Sequence, residues 1–207
     1  MKSPLEDTIW GASYGSLAAV QAAFDRIAPE YHQAILASGA PAGAARAIVP
    51  HLAPDAQGID FGCGSGVLGM ELRALGFTGP IDGLDLSPVM LELARQTDSY
   101  RRLEKANLLE PESYQILPGP YDFAISMGLI GDYVPYYLVL PRILAALRPG
   151  AHFGFAVESR STPWRALEKL MGELRLEILS ETVLNVPEGK LTGQAYHFYV
   201  TRLGYAS

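Results

Sequence analysis

The pattern of hydrophobic and polar residues changes twice along the chain. Between residues 16 and 27, apolar side chains recur every three or four positions, which is the spacing of one helix face. Pro29 and the glycine- and proline-containing stretch 39–43 are expected to break this first zone into short helices. We therefore treat residues 1–54 as an N-terminal helical cap and residues 55–207 as the core of a single domain.

Strand and helix patterns alternate in the middle of the chain. The expected strands are residues 59–61, 81–86, 121–127 and 152–157. The expected helices are residues 66–75, 141–147, and the segments that begin at Ser87-Pro88 and Thr162-Pro163. This alternation predicts an α/β fold with a parallel sheet. Two later apolar runs, 176–186 and 195–202, flank the turn signal 187–190 and predict an antiparallel hairpin at one edge.

Composition narrows the function classes. The 207-residue chain carries a net charge of −6, which disfavours a nucleic-acid partner, and its basic residues form no membrane-binding patch. Cys63 is the single cysteine, and the four histidines are separated in sequence, so no metal site is expected. The first residues show no signal-peptide pattern and no apolar run is long enough to span a bilayer, which predicts a cytoplasmic protein.

The most informative segment is a glycine-rich turn between a predicted strand and a predicted helix. It contains Asp60, Gly62, Gly64 and Gly66 in the pattern Asp-x-Gly-x-Gly-x-Gly. Glycines let a backbone turn tightly and approach a ligand, and the next helix offers free N–H groups. Asp85 ends the second strand, 25 residues beyond Asp60, where a carboxylate can accept both ribose hydroxyls of a nucleoside.

A dinucleotide site is the alternative interpretation of the same turn. Residues 64–69 fit the pattern G-x-G-x-x-G, which would suit an NAD(P)-dependent reductase. Against it, the chain has no Tyr-x-x-x-Lys pair for hydride chemistry and no second nucleotide-binding half. Gly69 also falls inside the predicted helix, where a small residue for packing explains it.

Five blocks of the chain resemble class I S-adenosylmethionine-dependent methyltransferases, and in particular the Williams–Beuren-region methyltransferase-like group. The blocks are residues 24–31, 59–66, 83–91, 121–125 and 147–151. The resemblance implies a Rossmann-like seven-stranded sheet of order 3-2-1-4-5-7-6 with strand 7 antiparallel. It also implies methyl transfer from S-adenosylmethionine, with S-adenosylhomocysteine as the product.

The resemblance further implies which residues hold the cofactor. They are Asp60, Gly62, Gly64 and Gly66 around the methionine part, Asp85 for the ribose, Leu86 and Met90 flanking the adenine, Asn107 at the adenine amino group, Met127 beside the sulfonium, and Tyr31 where the relatives' Tyr-Asp pair meets the cofactor. At Asn107 such enzymes usually carry an aspartate. The asparagine amide oxygen can still accept a hydrogen bond from the adenine amino group.

The methyl acceptor is expected to be a small, apolar or aromatic metabolite. Aromatic residues concentrate in segments predicted to meet at the mouth of the crevice, namely Tyr14, Tyr133, Tyr136, Tyr137 and Trp164. Candidates for a general base are His32, Asp132 and Glu158. A cofactor-binding protein without activity and an aminopropyl transferase stay open, as do the acceptor atom and the oligomeric state.

Overall fold

The structure is a computed structural model that describes residues 16–130, 134–158, 164–186 and 195–205. The helices are α1 (Leu17–Ser38), α2 (Ala40–Ile48), α3 (Val67–Ala74), α4 (Pro88–Gln96), α5 (Glu112–Gln115), α6 (Tyr136–Ala145) and α7 (Trp164–Glu173). The strands are β1 (Gly58–Phe61), β2 (Ile81–Asp85), β3 (Arg102–Lys105), β4 (Tyr121–Ser126), β5 (Leu147–Glu158), β6 (Leu176–Asn185) and β7 (Ala195–Leu203). A 3-10 turn, Val49–His51, follows α2.

The seven strands form one sheet in the order β3-β2-β1-β4-β5-β7-β6. Strands β1 to β5 pair in parallel, whereas β7 runs antiparallel to both β5 and β6. The predicted fold class and strand order are therefore confirmed. The turn signal at 187–190 lies outside the described residues.

The first helix corrects one prediction. Helix α1 begins after the N-cap Ser16 and continues through Pro29 to Ser38, so the expected break at Pro29 is wrong. An interior proline costs about 3 kcal/mol, and here tertiary contacts outweigh that cost. Ile27 and Ala28 are buried beside the proline. The expected break at residue 39 is confirmed, because Gly39 adopts a φ of 71° between α1 and α2.

Two other boundaries differ from the sequence pattern. Helix α6 begins at Tyr136, with Pro141 in its interior, and Leu147 already belongs to β5. The apolar pattern alone did not predict β3, because three of its four residues are charged and it is an edge strand of the sheet. The helix start at Ser87-Pro88 and the apolar runs of β6 and β7 are confirmed within one or two residues.

Apolar layers cover both faces of the sheet. On one face, Phe61 and Phe153 pack against buried residues of α6 and α7. On the other, Phe123 and Ile125 pack against α2 and α3, with Ile27 of α1 completing the layer. Because β1, β2 and β4 are parallel, their carboxyl ends meet at one edge of the sheet, beneath α1. No helix of the described residues is long and apolar enough to cross a membrane.

Candidate functional site

The glycine-rich loop connects β1 to α3 and turns at positive φ angles. Gly64 has a φ of 52° and Gly66 a φ of 82°, which non-glycine residues seldom adopt. A Cβ at Gly66 would lie 2.9 Å from the backbone of Ala94, so α4 can pack closely only against glycine. A Cβ at Gly64 would approach only Tyr31, at 4.0 Å. The loop at Gly64 therefore faces open space.

Two adjoining cavities occupy that space. The outer cavity is lined by Leu17, Val20, Gln21, Asp85, Leu86, Ser87, Met90, Ala106, Asn107, Leu108, Leu129 and Val134. The inner cavity is lined by Ile35, Pro41, Asp60, Cys63, Ser65, Val67, Leu68, Val186 and Tyr196. Both cavities share Phe24, Tyr31, Gly62, Gly64, Met127 and Gly128. The shared residues form the junction of one continuous crevice at the carboxyl ends of the parallel strands.

Nine of the ten residues predicted to hold the cofactor line this crevice. The exception is Gly66, which is the N-cap of α3 and lines neither cavity. Asp85 lies in the outer cavity and Asp60 in the inner one, while Tyr31 and Met127 lie at the junction. The structure thus brings together residues that are up to 96 positions apart, from Tyr31 to Met127.

Asp85 is held by the backbone on both sides. Its Oδ2 accepts a hydrogen bond from the Gly64 N–H at 2.8 Å, and its Oδ1 accepts one from the Ser87 N–H at 2.9 Å. Burial raises the pKa of Asp85, and these hydrogen bonds oppose the rise. A carboxylate has about four acceptor positions, and the backbone N–H groups of Ser87, Gly64 and Leu86 act on this one, so acceptor capacity remains for a ligand. Asp85 therefore ties the loop to β2 and still presents an acceptor to the outer cavity.

Asp60 is a carboxyl group beneath the loop, only 1% exposed. Its Oδ2 accepts a hydrogen bond from the Tyr100 hydroxyl at 2.8 Å. Burial raises the pKa of Asp60 to about 7; the Tyr100 hydrogen bond opposes the rise and the nearby charge of Asp85 adds to it. A carboxyl with such a pKa inside a crevice is a common mark of a functional site.

Ser65 places a buried hydroxyl group in the inner cavity. The residue is 2% exposed and lines the inner cavity, and its buried Oγ has no hydrogen-bond partner in the structure. Buried hydroxyls normally have a partner, so a polar ligand group in the inner cavity would satisfy Ser65. The adjacent start of α3 favours a negatively charged group there.

Asn107 lines the outer cavity with its side chain already engaged. Its Oδ1 accepts a hydrogen bond from the Leu109 N–H at 3.0 Å, and its Nδ2 donates to Glu110 at 2.8 Å. An amide oxygen has two lone pairs, so Oδ1 can accept one more bond. The adenine contact predicted from the sequence is compatible with this geometry.

The structure gives less support to the residues predicted to act as a base or to line the methyl-acceptor site than to the cofactor residues. His32 is half-buried on α1, lines neither cavity, and has a buried Nδ1 without a hydrogen-bond partner. Tyr136 and Tyr137 line neither cavity, and Tyr137 is 59% exposed. The predicted residues Tyr14, Asp132 and Tyr133 lie outside the described residues. Glu158 ends β5 and Trp164 begins α7, but their side chains are not among those described.

Several lining residues were missed at the level of the sequence. Leu17, Val20 and Phe24 belong to the helical face that the apolar spacing predicts, and in the structure this face closes the outer cavity. Val186 and Tyr196 reach the inner cavity because β7 lies beside β5. The helical periodicity could have suggested the first group, whereas no local signal points to the second. Among the described residues, no group of three or more His, Cys, Asp or Glu could hold a metal ion.

Comparison with known proteins gives a family match. Residues 32–187 match a family model described as a methyltransferase domain. Human methyltransferase-like protein 27 is 35% identical over 117 residues, 53% of this chain and 46% of that protein. The ribosomal protein L11 methyltransferase of Ralstonia nicotianae is 30% identical over 100 residues, 48% of this chain and 31% of that protein. The matched stretches thus span less than half of either relative.

A solved structure shows the same fold across nearly the whole chain. It is the 1,6-didemethyltoxoflavin-N1-methyltransferase of Burkholderia thailandensis, determined with bound 1,6-didemethyltoxoflavin and S-adenosylhomocysteine. The TM-score is 0.70 at 19% sequence identity, with 94% of this chain and 91% of that chain covered. Since the family model covers most of the chain, the chain belongs to the methyltransferase domains predicted from its sequence, a class whose cofactor is S-adenosylmethionine.

Proposed function

We propose that this chain transfers the methyl group of S-adenosylmethionine to a small, apolar or aromatic metabolite. The observation that carries the proposal is the two-part crevice, whose cavities join at Tyr31, Gly64 and Met127. The outer cavity suits a nucleoside, and the inner cavity suits a short polar chain such as the methionine part. The junction between them is where the sulfonium would lie.

In this arrangement the outer cavity holds the adenosine. Asp85 accepts hydrogen bonds from the ribose hydroxyls, Leu86 and Met90 flank the adenine, and Asn107 accepts from its amino group. The inner cavity holds the methionine part, with its ammonium group at Asp60 and its carboxylate at Ser65. Two features of the structure support the fit. Ser65 Oγ is a buried hydroxyl without a partner, and the loop at Gly64 leaves room for a ligand.

The bound cofactor supplies a methyl group on a positively charged sulfur, which is an activated leaving group. The chain's own contribution is to align the methyl group with the acceptor and to exclude water. Phe24 and Tyr31 of α1 and Met127 after β4 surround the junction with apolar surface. Alignment of two reactants can supply up to about 7–11 kcal/mol, so the reaction does not require a base.

An acceptor that must lose a proton would gain from a base. General-base catalysis contributes about 10²–10⁴-fold. Glu158 stands at the carboxyl end of β5, and Asp132 follows β4 in sequence, so we retain both as candidates on the strength of their positions. His32 is the weaker candidate because it lines neither cavity.

The apolar surroundings of the junction and the charge of the chain support a small acceptor over a nucleic acid. Among the described residues, no lysine or arginine lines either cavity. Phosphate groups are held in proteins mainly by such cations, and the chain's net charge of −6 repels a nucleic-acid backbone. Aromatic and aliphatic walls with few polar groups are typical of metabolite sites.

The proposal can be tested by measuring S-adenosylhomocysteine release from S-adenosylmethionine. The purified chain is incubated with panels of phenols, thiols, amines and carboxylic acids, and in parallel with ribosomal RNA and ribosomal protein L11. We expect release with at least one apolar small molecule, its loss in Asp85→Ala, and its retention in Asp55→Ala, which removes an exposed carboxyl at the opposite end of the sheet.

Two results would contradict the proposal. Faster methylation of RNA or protein L11 than of any small molecule would show that the acceptor is a macromolecule and not a small metabolite. Tight S-adenosylhomocysteine binding without turnover on any acceptor would indicate a cofactor-binding protein without activity.

A further inference from the structure

The Tyr100 side chain links two elements at the candidate cofactor site, strand β1 and helix α3. It lies between α4 and β3, and its hydroxyl reaches the start of α3. The Tyr100 hydroxyl donates a hydrogen bond to Asp60 Oδ2 at 2.8 Å and accepts one from the Gly69 N–H at 3.2 Å. One side chain therefore joins the buried carboxyl of β1 to the first turn of the helix that follows the glycine-rich loop.

Two glycines outside the loop make room for this ring. A Cβ at Gly69 would lie 2.6 Å from Cζ of Tyr100, and a Cβ at Gly83 would lie 3.1 Å from Cδ1. A side chain at Gly69 would therefore move the ring, and one at Gly83 would also crowd Leu103 and Cys63. Gly69 is the last glycine of the dinucleotide-like pattern at residues 64–69. In the structure this glycine accommodates the Tyr100 ring, so a dinucleotide is not needed to explain it.

The backbone on both sides of Tyr100 is anchored. Arg73 of α3 donates two hydrogen bonds to the Ser99 carbonyl oxygen, at 3.2 and 2.8 Å. Arg101 donates two hydrogen bonds to the Asp82 carboxylate, at 2.9 and 2.7 Å. The position of the hydroxyl is consequently set by its neighbours in the chain as well as by its own two hydrogen bonds.

We propose that Tyr100 is a positioning residue for the cofactor, which holds Asp60 so that its other carboxylate oxygen receives the ammonium group of S-adenosylmethionine. This inference rests on the proposed function. No hydrogen bond among the described residues uses Asp60 Oδ1, and Asp60 lines the inner cavity. With Oδ2 occupied by Tyr100, a ligand in that cavity meets Oδ1.

Burial raises the pKa of Asp60, and the same hydrogen bond extends to lower pH the range in which Asp60 is charged. Among the described residues, the titratable groups that act on Asp60 are Tyr100, Asp85 at the end of β2 and Cys63 in the loop. Burial raises the pKa of the Cys63 thiol, so it stays neutral. Since the pKa of Asp60 is about 7 and the ammonium group needs the charged form, cofactor affinity should increase as pH rises through about 7.

The test is the pH dependence of S-adenosylhomocysteine binding, measured by titration calorimetry between about pH 5.5 and 8.5. Tyr100→Phe removes the hydroxyl and keeps the ring. A hydrogen bond to a charged group corresponds to about one to two pKa units, so the midpoint should move upward by that amount. Affinity at pH 7 should fall about tenfold and recover as pH rises. Gly69→Ala displaces the same ring without removing the hydroxyl and should shift the midpoint in the same direction.

Tyr121→Phe is the matched control. The Tyr121 hydroxyl also donates to a buried aspartate, Asp82, at 2.8 Å, but neither residue lines the crevice. This variant should lose stability and keep the wild-type midpoint. An unchanged midpoint in both Tyr100→Phe and Gly69→Ala, or pH-independent binding by the wild type, would overturn the inference. Failure of the wild type to bind at any pH would instead contradict the proposed function.

Discussion

Replacing Asp60 by asparagine should change how the stability of the protein depends on pH. Asp60 is 1% exposed, and burial raises its pKa from 3.8 to about 7. Asparagine has nearly the same shape, and its amide oxygen can accept the Tyr100 hydrogen bond in place of the carboxylate. The substitution therefore removes the ionisation and keeps the packing.

The magnitude follows from the difference between the folded and unfolded pKa. Between about pH 4 and pH 7 the folded protein holds the Asp60 proton more tightly than the unfolded chain, so the unfolding free energy falls as pH rises. One pKa unit corresponds to about 1.36 kcal/mol, and the shift is about three units, which gives a loss of about 4 kcal/mol across this window. Asp60→Asn should lack that loss, so it should be more stable than the wild type at pH 7.5 and similar to it at pH 4.

Urea unfolding of both proteins at pH 4 and pH 7.5 measures this difference. The burial-raised pKa of Asp85 acts in the same direction and the burial-lowered pKa of His152 in the opposite one, but both groups are present in both proteins. Asp98→Asn, at an exposed aspartate, should follow the wild-type curve. Parallel curves for wild type and Asp60→Asn would refute the reasoning, because they would show that Asp60 does not titrate in this window.

Four further predictions follow from the site and the core. Asp85→Ala should weaken S-adenosylhomocysteine binding about 10–150-fold by calorimetry, since a hydrogen bond to a charged group contributes about 1.5–3 kcal/mol, and unchanged affinity would remove Asp85 from the ribose site. Gly64→Asn should melt without ligand near the wild-type temperature, because asparagine tolerates a φ of 52°. The variant should lose the increase in melting temperature that S-adenosylhomocysteine causes, and a full increase would place the ligand elsewhere. His32→Ala should lower kcat by less than about threefold, whereas a loss of about 10²-fold with unchanged cofactor affinity would make His32 the base after all. Gly58→Ala should destabilise the fold by at least about 1–3 kcal/mol in urea, because its Cβ would lie 2.0 Å from the Phe123 ring, and wild-type stability would contradict the packing described here.

The buried charge of Asp60 illustrates the relation between site and stability. At neutral pH an ionised carboxyl beneath the loop lowers the unfolding free energy, and a neutral residue of the same shape would avoid that cost. A proposed contact with a cationic ligand group explains why a carboxyl stands there, since functional sites commonly reduce stability in this way.

The class of the protein and, through the resemblance to methyltransferases, the strand order could be predicted from the sequence, as could the meeting of most proposed cofactor residues in one crevice. That meeting depends on local features: the turn at Gly62–Gly66 must lie between a strand and a helix, and Asp85 must end the next strand. In a parallel sheet, such strand ends meet at one edge wherever the connecting helices lie. Local patterns therefore predicted which residues meet where that depends only on strand ends.

Only the tertiary structure decided the features that depend on distant packing. Pro29 remains inside α1 because the buried face of that helix outweighs the local penalty, which no local pattern can show. Val186 and Tyr196 reach the inner cavity because the antiparallel β7 brings the end of the chain beside β5. The ionisation of Asp60 likewise depends on burial and on a hydroxyl 40 residues away in sequence, and such an environment exists only once the chain has folded.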